Sequence, residues 1–471
     1  MEYFSGNIES DSALLGKKAG MGVSYDVKER QLIIGGRKAY FCYIGSLVSD
    51  MLTERLIKGY LSSELHYDDS AFTFAQRCST FGDVKFLSDA DGAAAQILEG
   101  CGALIIDGMY HAIITDIKNI PSRGIEEPES DRVLRGSRDG FTEKLFDNTA
   151  LLRQRLRIPE VVYERIPVGL TASTSVVLCY YPKRADMKFV RKVSEKLRNA
   201  KVDALSMSSE SLAECLIKRR WIDPFPKIRY TERPDAASAM ILEGSVIVLC
   251  DNSPQVMILP CSIFDFLQET DDFYFPPLTG TYLRLVRFTI FMLSFILVPV
   301  WYLLIKNPQI IPEWLEFILP STSAGLPIIL QILLIEFTID GLKLASMNTP
   351  GSLNNSLSIV AGLLLGDYAI EVGWLIPEVI LYMSFVAMAN FTQPSFELGY
   401  AFKYMRVITV ILTEFFSWFG FAAGLLITVA LVTLNRSVDG SRSYLYPLIP
   451  FDPKAFARLV FRLKLSDRKK G

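Results

Sequence analysis

Histidine is nearly missing from this chain: His66 and His111 are the only two in 471 residues. Each reads as an ordinary surface or core histidine rather than as a general base or metal ligand. No HExxH, GxSxG or cysteine cluster is present, and GKKAGMG (Gly16–Gly22) lacks the spacing of a phosphate-binding loop. No catalytic, cofactor-binding or metal-ligating residue is therefore assigned, and an enzyme is not expected. The seven cysteines (Cys42, Cys78, Cys101, Cys179, Cys215, Cys250 and Cys261) form no Cys-x-x-Cys pair and are odd in number. Reduced, buried thiols of a cytosolic region are expected rather than a disulfide framework. The formal net charge is −2, and no basic stripe interleaves with aromatic residues. Nucleic acid is excluded as a partner on that ground. The opening MEYFSGNIESDSALLGKK has no apolar stretch, so no cleaved signal peptide is expected and the N-terminal half is placed in the cytoplasm.

Charge is also scarce in one place. Only 13 Asp, Glu, Lys and Arg lie between Phe288 and Asn435, whereas residues 1–283 hold 73 of the 100 in the chain. Two regions with different solvents follow. Phe288–Ile305 is uncharged, follows Arg284 and Arg287, and ends on Trp301 and Tyr302. These are the marks of a helix that enters a bilayer from the cytoplasmic side. Val407–Leu434 reads as a second span, interrupted only by Glu414 and followed by a basic tail. That tail argues for a cytoplasmic C-terminus and an even number of crossings. Ser358–Leu365 and Gly373–Asn390 read as two crossings or one broken helix. Leu326–Phe337 is short enough to be re-entrant or buried. The expectation is an all-α transmembrane domain of about four spanning helices plus a partial one.

The carboxylates of this part that matter most are Glu336, Asp340, Asp367, Glu371, Glu378 and Glu414. Glu336 and Asp340 share a helix face, and Asp367 and Glu371 repeat that spacing. Only Lys343 lies near in sequence. A charge at bilayer depth needs water or a partner. An unpaired acidic stripe therefore suggests a wet, cation-attracting cavity, with Glu336, Asp340, Glu378 and Glu414 as candidate ion-path residues. The bland alternative puts these groups at interfaces and loop ends.

The N-terminal half alternates short apolar runs with helical patterns, which is α/β patterning. Ala39–Ile44 and Ser175–Tyr181 read as strands. Leu47–Leu61 and Phe189–Leu197 read as helices. ILEGCGALIIDGMYHAIITD (Ile97–Asp116) aligns without gaps on ILEGSVIVLCDNSPQVMILP (Ile241–Pro260), and each carries a hairpin signature. Upstream, Phe41–Gly45 resembles Leu178–Pro182 at a similar offset. Two similar α/β units are expected. The full division is a first unit over 1–120, a charged helical linker over 121–165, a second unit over 166–283, a transmembrane domain over 284–436 and a basic tail over 437–471. The linker is dense in mixed charge and reads as a solvated stretch carrying a helix over Gly140–Leu156. The functional alternative is a subunit contact through Arg132, Arg135 and Arg138, since arginine–carboxylate pairs are directional when bidentate.

Several stretches resemble the A subunits of bacterial spore germinant receptors, the GerA family. They are Ile125–Arg157, Pro224–Gly244, Asn348–Gly373, Phe391–Arg406 and Tyr444–Pro453, in order along nearly the whole chain. TERPD and the RGSRDGF block are the specific parts. The sequence departs at Gly136-Ser137-Arg138, where the family often has Gly-Pro-Arg, and at Asp251-Asn252-Ser253-Pro254, where it often has Asp-Gly-Thr-Pro. It also lacks the long tails of many receptor A subunits, which is most similar to one of their paralogues. The resemblance implies the inner spore membrane and a role in germination. It further implies a homo-oligomeric ring, such as a pentamer, around a cation path, beside a second membrane subunit that senses the nutrient. A non-conducting scaffold that recruits other germination proteins is the alternative.

Overall fold

The computed structural model describes residues 2–66, 69–78, 84–119, 137–217, 222–269, 271–348, 369–441 and 443–461. It comprises two compact units: residues 1–219 with 228–260, and residues 220–227 with 261–471.

The first unit holds two five-stranded sheets. Its elements run α1 (Ile8–Ala19), β1 (Val27–Ile34), β2 (Arg37–Ile44), α2 (Asp50–Ser62), α3 (Ala71–Cys78), β3 (Val84–Leu87), α4 (Ala90–Leu98), β4 (Cys101–Ile106), β5 (Ala112–Asp116) and α5 (Leu145–Arg155). They continue with β6 (Val162–Val168), β7 (Thr174–Tyr180), α6 (Met187–Arg198), α7 (Ser209–Leu216), β8 (Arg229–Thr231), α8 (Pro234–Glu243), β9 (Val246–Cys250) and β10 (Val256–Leu259). The sheet orders are β1-β2-β4-β5-β3 and β6-β7-β9-β10-β8, the same order position for position. The strand pairs are antiparallel. The hairpins expected from the repeated segment are β4–β5 and β9–β10.

Strand β4 shows why these segments read as apolar runs: it is buried along its whole length. Ala103 and Ile105 face a core with Leu15 of α1 and Ile97 of α4. Leu104 and Ile106 face a second core with Tyr60 of α2 and Phe74 of α3. A strand covered on both faces loses the alternation of a half-buried one. Helix α6 keeps its period, burying Phe189, Val190, Val193 and Leu197 behind an Asp186 cap.

The helix expected on a solvated linker is instead a wedge between the two sheets. In α5, Leu145, Asn148, Thr149, Ala150, Leu151, Leu152 and Arg153 are buried. Arg153 donates from Nε and Nη2 to Asp26 at 3.0 and 2.9 Å, with both side chains fully buried. Its guanidinium lies 4.1 Å from the Tyr163 ring centroid. Ser46 Oγ donates to the same Asp26 carboxylate at 3.1 Å. Tyr25 N donates to Tyr163 O at 3.1 Å, joining the lobes directly. One carboxylate of the first lobe thus holds one arginine of α5, which stacks on one tyrosine of the second.

The second unit contains α9 (Asp271–Tyr274), α10 (Pro277–Lys306), α11 (Ile328–Asn348), α12 (Pro377–Phe391), α13 (Phe396–Leu434) and α14 (Pro453–Val460). Two of these, α10 and α13, are long and apolar enough to cross a membrane. Only 44% of the most apolar stretch of α10 and 22% of that of α13 is buried. The helix core of a soluble protein would cover most of such a surface. Helix α10 runs unbroken through Pro299. Its start is pinned by buried Asp272, which accepts from Arg284 Nε at 3.2 Å and Arg287 Nη1 at 2.9 Å.

Among the described residues the expected four crossings are not evident as four long apolar helices. Leu326–Phe337 belongs to α11, a 21-residue helix rather than a short segment. Gly373–Asn390 holds all but the last residue of α12, a helix of 15 residues. Ser358–Leu365 lies outside the described residues. Val407–Leu434 is not one straight span, because Ser417 has φ 50° and ψ −124° inside α13. A Cβ at Gly420 would come within 3.0 Å of the Leu412 and Thr413 backbone, and one at Gly424 would lie 2.6 Å from Thr409 Oγ1. Residues eight and fifteen apart cannot meet along a straight helix of 1.5 Å rise per residue. The chain therefore reverses at Ser417 into two antiparallel arms packed along a glycine seam. Asn307 Nδ2 donates to Ser417 Oγ at 3.1 Å and holds the turn at the far end of α10.

Two outcomes are expected. Gly424→Ala lowers the thermal midpoint of the full chain in detergent by the equivalent of about 1–3 kcal/mol. Gly341→Ala, with nothing within 4 Å of the added atom, leaves it unchanged or raises it by up to about 1 kcal/mol. The second outcome concerns pH. Burial pushes the thiols of Cys42, Cys179 and Cys250 up from 9.0 to about 12. A native pKa above the unfolded one contributes stability that is present below pH 9.0 and lost as pH climbs toward about 12. Thiol labelling of the native chain stays slow at pH 9 and accelerates as the first unit unfolds at higher pH. Fast labelling of these cysteines in folded protein at pH 9 would contradict this.

Candidate functional site

Charged side chains converge inside the helical unit. Glu336 and Asp340 lie one turn apart on α11. Lys403 and Arg406 lie three apart on the first arm of α13, facing them. Arg406 donates to Glu336 Oε1 from Nε at 2.9 Å and Nη2 at 2.6 Å, and from Nη1 to the Ser294 carbonyl of α10 at 2.7 Å. Lys403 Nζ lies 3.2 Å from Glu336 Oε2, donates to the Glu336 carbonyl at 3.1 Å and pairs with Asp340 Oδ2. Glu336, Lys403 and Arg406 are buried, whereas a third of the Asp340 side chain is exposed. Asp340 Oδ1 is buried and unpartnered. The four groups balance to zero charge and fasten three helices together.

The carboxylates are thus not an unpaired stripe. Their cations come from a helix more than sixty residues further on in the chain. Removing one partner of a buried pair leaves an uncompensated charge at a cost of about 3–5 kcal/mol. Arginine is suited to Glu336 because its planar fork can donate two bonds while a third reaches a carbonyl. Lys343 belongs to the same region. Its ammonium lies 5.4 and 5.2 Å from the Phe391 and Tyr400 ring centroids, a distance for cation–π attraction.

The other candidates are placed apart. Glu378, at the start of α12, accepts from Ser321 N at 2.9 Å and Ser321 Oγ at 2.8 Å. Glu414 sits beside the Ser417 turn, accepts from Lys306 Nζ at 2.7 Å and is bonded by the Tyr302 hydroxyl. It marks the far end of α10. Glu371 is exposed, and Asp367 lies outside the described residues. Arg132 and Arg135 also lie outside them. Arg138 is exposed, while neighbouring Asp139 is taken within the chain by Arg155 Nη2, at 2.6 Å from Oδ1. His66 and His111 are on the surface. No group of three or more His, Cys, Asp or Glu converges among the described residues.

The helix directions matter for what this arrangement can do. Phe402 packs on Phe291 and Phe295 of α10, and Glu414 meets Tyr302 and Lys306 further along it. The first arm of α13 is therefore parallel to α10. Gln331, at the start of α11, accepts from Ile376 N at 2.9 Å just before α12, and Lys343, toward the end of α11, reaches Phe391 at the end of α12. Helices α11 and α12 thus run the same way. The charge cluster sits between the two ends of this bundle.

The sequence model described as "Bacillus/Clostridium GerA spore germination protein" matches residues 16–471. The chain belongs to the GerA family. It is similar to Stage V sporulation protein AF of Bacillus subtilis (strain 168), 35% identical over 447 residues, which is 94% of this chain and 90% of that protein. It is also similar to the uncharacterized membrane protein YfkQ of the same organism, 29% identical over 409 residues, 86% of this chain and 79% of that protein. Among solved structures, the N-terminal domain of the A subunit of the Bacillus megaterium spore germinant receptor GerK3 matches 55% of this chain and 96% of that chain. That match has 22% identity and a TM-score of 0.42.

Arg406→Gln is expected to strip Glu336 of its main partner and lower the yield and thermal midpoint of the full chain by the equivalent of about 3–5 kcal/mol. The double change Glu336→Gln with Arg406→Gln restores most of the loss. Thermal unfolding of the two single variants and the double variant in detergent gives the coupling directly. Additive losses would deny the pair.

Proposed function

We propose that this chain is a membrane-spanning subunit acting in spore germination, and that copies of it assemble into a ring that conducts cations. The observation that carries the reading is the buried charge cluster inside a helical unit with an apolar, exposed outside. Germination comes from the family, and the relative YfkQ is named a membrane protein. In this reading α10, α11 and both arms of α13 cross the inner spore membrane, with α12 packed against them. The residues before α10 and after α13 meet, as Ile263 N donates to Tyr444 O at 2.9 Å. That contact supports both termini on one side, the cytoplasm. The reading is not enzymatic, needs no cofactor and includes a second membrane subunit as partner.

Glu336, Asp340, Glu378 and Glu414 would serve the ion path unequally. Glu336 is committed to Arg406, and Glu414 to Lys306. Asp340 shares Lys403 with Glu336 and is the partly exposed carboxylate of the cluster, so it is the member proposed to meet a cation. Arg132, Arg135 and Arg138 remain the proposed subunit contact, with Arg138 exposed.

A second reading has its own observation. The carboxylates are matched by Lys403 and Arg406, as in a bundle built to be rigid rather than wet. The chain would then be a scaffold for other germination proteins. Cation flux through the full chain in liposomes, with and without its membrane partner, separates the two. Asp340→Asn leaves Lys403 paired with Glu336, so the bundle persists. Under the channel reading flux falls on the order of tenfold, the effect of removing one close unit charge. Flux unchanged in well-inserted protein, or absent throughout, supports the scaffold.

A further inference from the structure

Helix α14 is amphipathic, yet none of its residues is buried. Phe456, Leu459 and Val460 lie on one face, and Lys454 and Arg458 on the opposite one. Around the helix, Ile449, Phe451 and Phe461 are 54%, 64% and 53% exposed. A water-facing helix would not gather so much apolar surface at one spot. Its position is defined. Arg284 Nη1 donates to the carbonyls of Arg458 and Leu459 at 3.1 and 3.4 Å, at the last turn of α14. Arg284 stands one turn before the apolar run of α10 begins at Phe288. The sequence beyond α14 adds Arg462, Lys464, Arg468, Lys469 and Lys470 against Asp467.

We propose that α14 and its flanking aromatic residues form an interfacial anchor that binds the anionic lipid headgroups of the leaflet through which α10 enters. The proposal rests on the reading that α10 spans a bilayer. The occupant follows from two observations. The helix is tied to α10 at the depth where hydrocarbon gives way to headgroups. Its cations, continued by the basic tail, complement phosphate rather than another cationic surface. Apolar residues then sink below the headgroups, while Lys454 and Arg458 stay at their level. Arg284 fixes the depth by holding the free carbonyls of α14 at the head of α10.

The test is hydrogen–deuterium exchange of the full chain in nanodiscs of phosphatidylcholine alone, and of phosphatidylcholine with phosphatidylglycerol. Amides of residues 453–461 are expected to exchange about thirtyfold more slowly in the anionic discs, a little over fivefold for each of two cations near the surface. Lys454→Glu with Arg458→Glu removes that difference, and Phe461→Asp reduces protection in both discs. Equal exchange in both discs, with α10 still protected, overturns the proposal. So does protection in both that the charge reversal leaves untouched, since protein would then cover the face. Fast exchange along α10 itself removes the spanning reading, and this proposal with it.

Discussion

A guanidinium taken out of water must be met by a carboxylate, and in each compact unit of this protein one such meeting joins elements far apart in the chain. In the first unit Arg153 meets Asp26; in the second Arg406 meets Glu336. In both cases the arginine lies far from its partner in sequence and the pair joins separate elements. Arg153 ties the wedge helix to the first lobe and stacks on the second. Arg406 ties α13 to α11 and, through Ser294, to α10. Such pairs add little net stability over a well-packed apolar contact, but their partial loss is severe. They therefore specify which elements meet, more than how tightly the chain folds.

The α/β half was largely legible in sequence because its signals are local. The matched Ile97–Asp116 and Ile241–Pro260 segments expose two hairpins, and the shared strand order shows that the repeat extends to whole sheets. The burial of α5 was not legible. Its low apolar content and flanking charges are those of a solvated helix, and only the distant Asp26 reveals why Arg153 can be buried. The reversal at Ser417 was hidden for a different reason. Both arms of α13 are apolar, and Gly420 and Gly424 are as compatible with one long helix as with two packed ones. Hydropathy measures solvent, not direction.

The charge cluster shows the same limit. Glu336 and Asp340 announce themselves by spacing, but nothing in the sequence says that Lys403 and Arg406 face them. The sequence showed how few charges this stretch holds, not which of them meet. Their mutual neutralisation leaves Asp340 as the one partly exposed member of the four. Glu378 and Glu414 instead secure helix ends, by a serine and by a lysine.

The one-residue turn at Ser417 has a consequence for biogenesis. Two helices joined by a long polar loop can be threaded into a bilayer one after the other, the loop being translocated between them. Here no loop exists to translocate. The glycine seam brings the arms into contact from the first turn onward, so each already satisfies its backbone internally and offers the other a packed face. In the reading in which both arms span the bilayer, the pair enters lipid together as a preassembled hairpin.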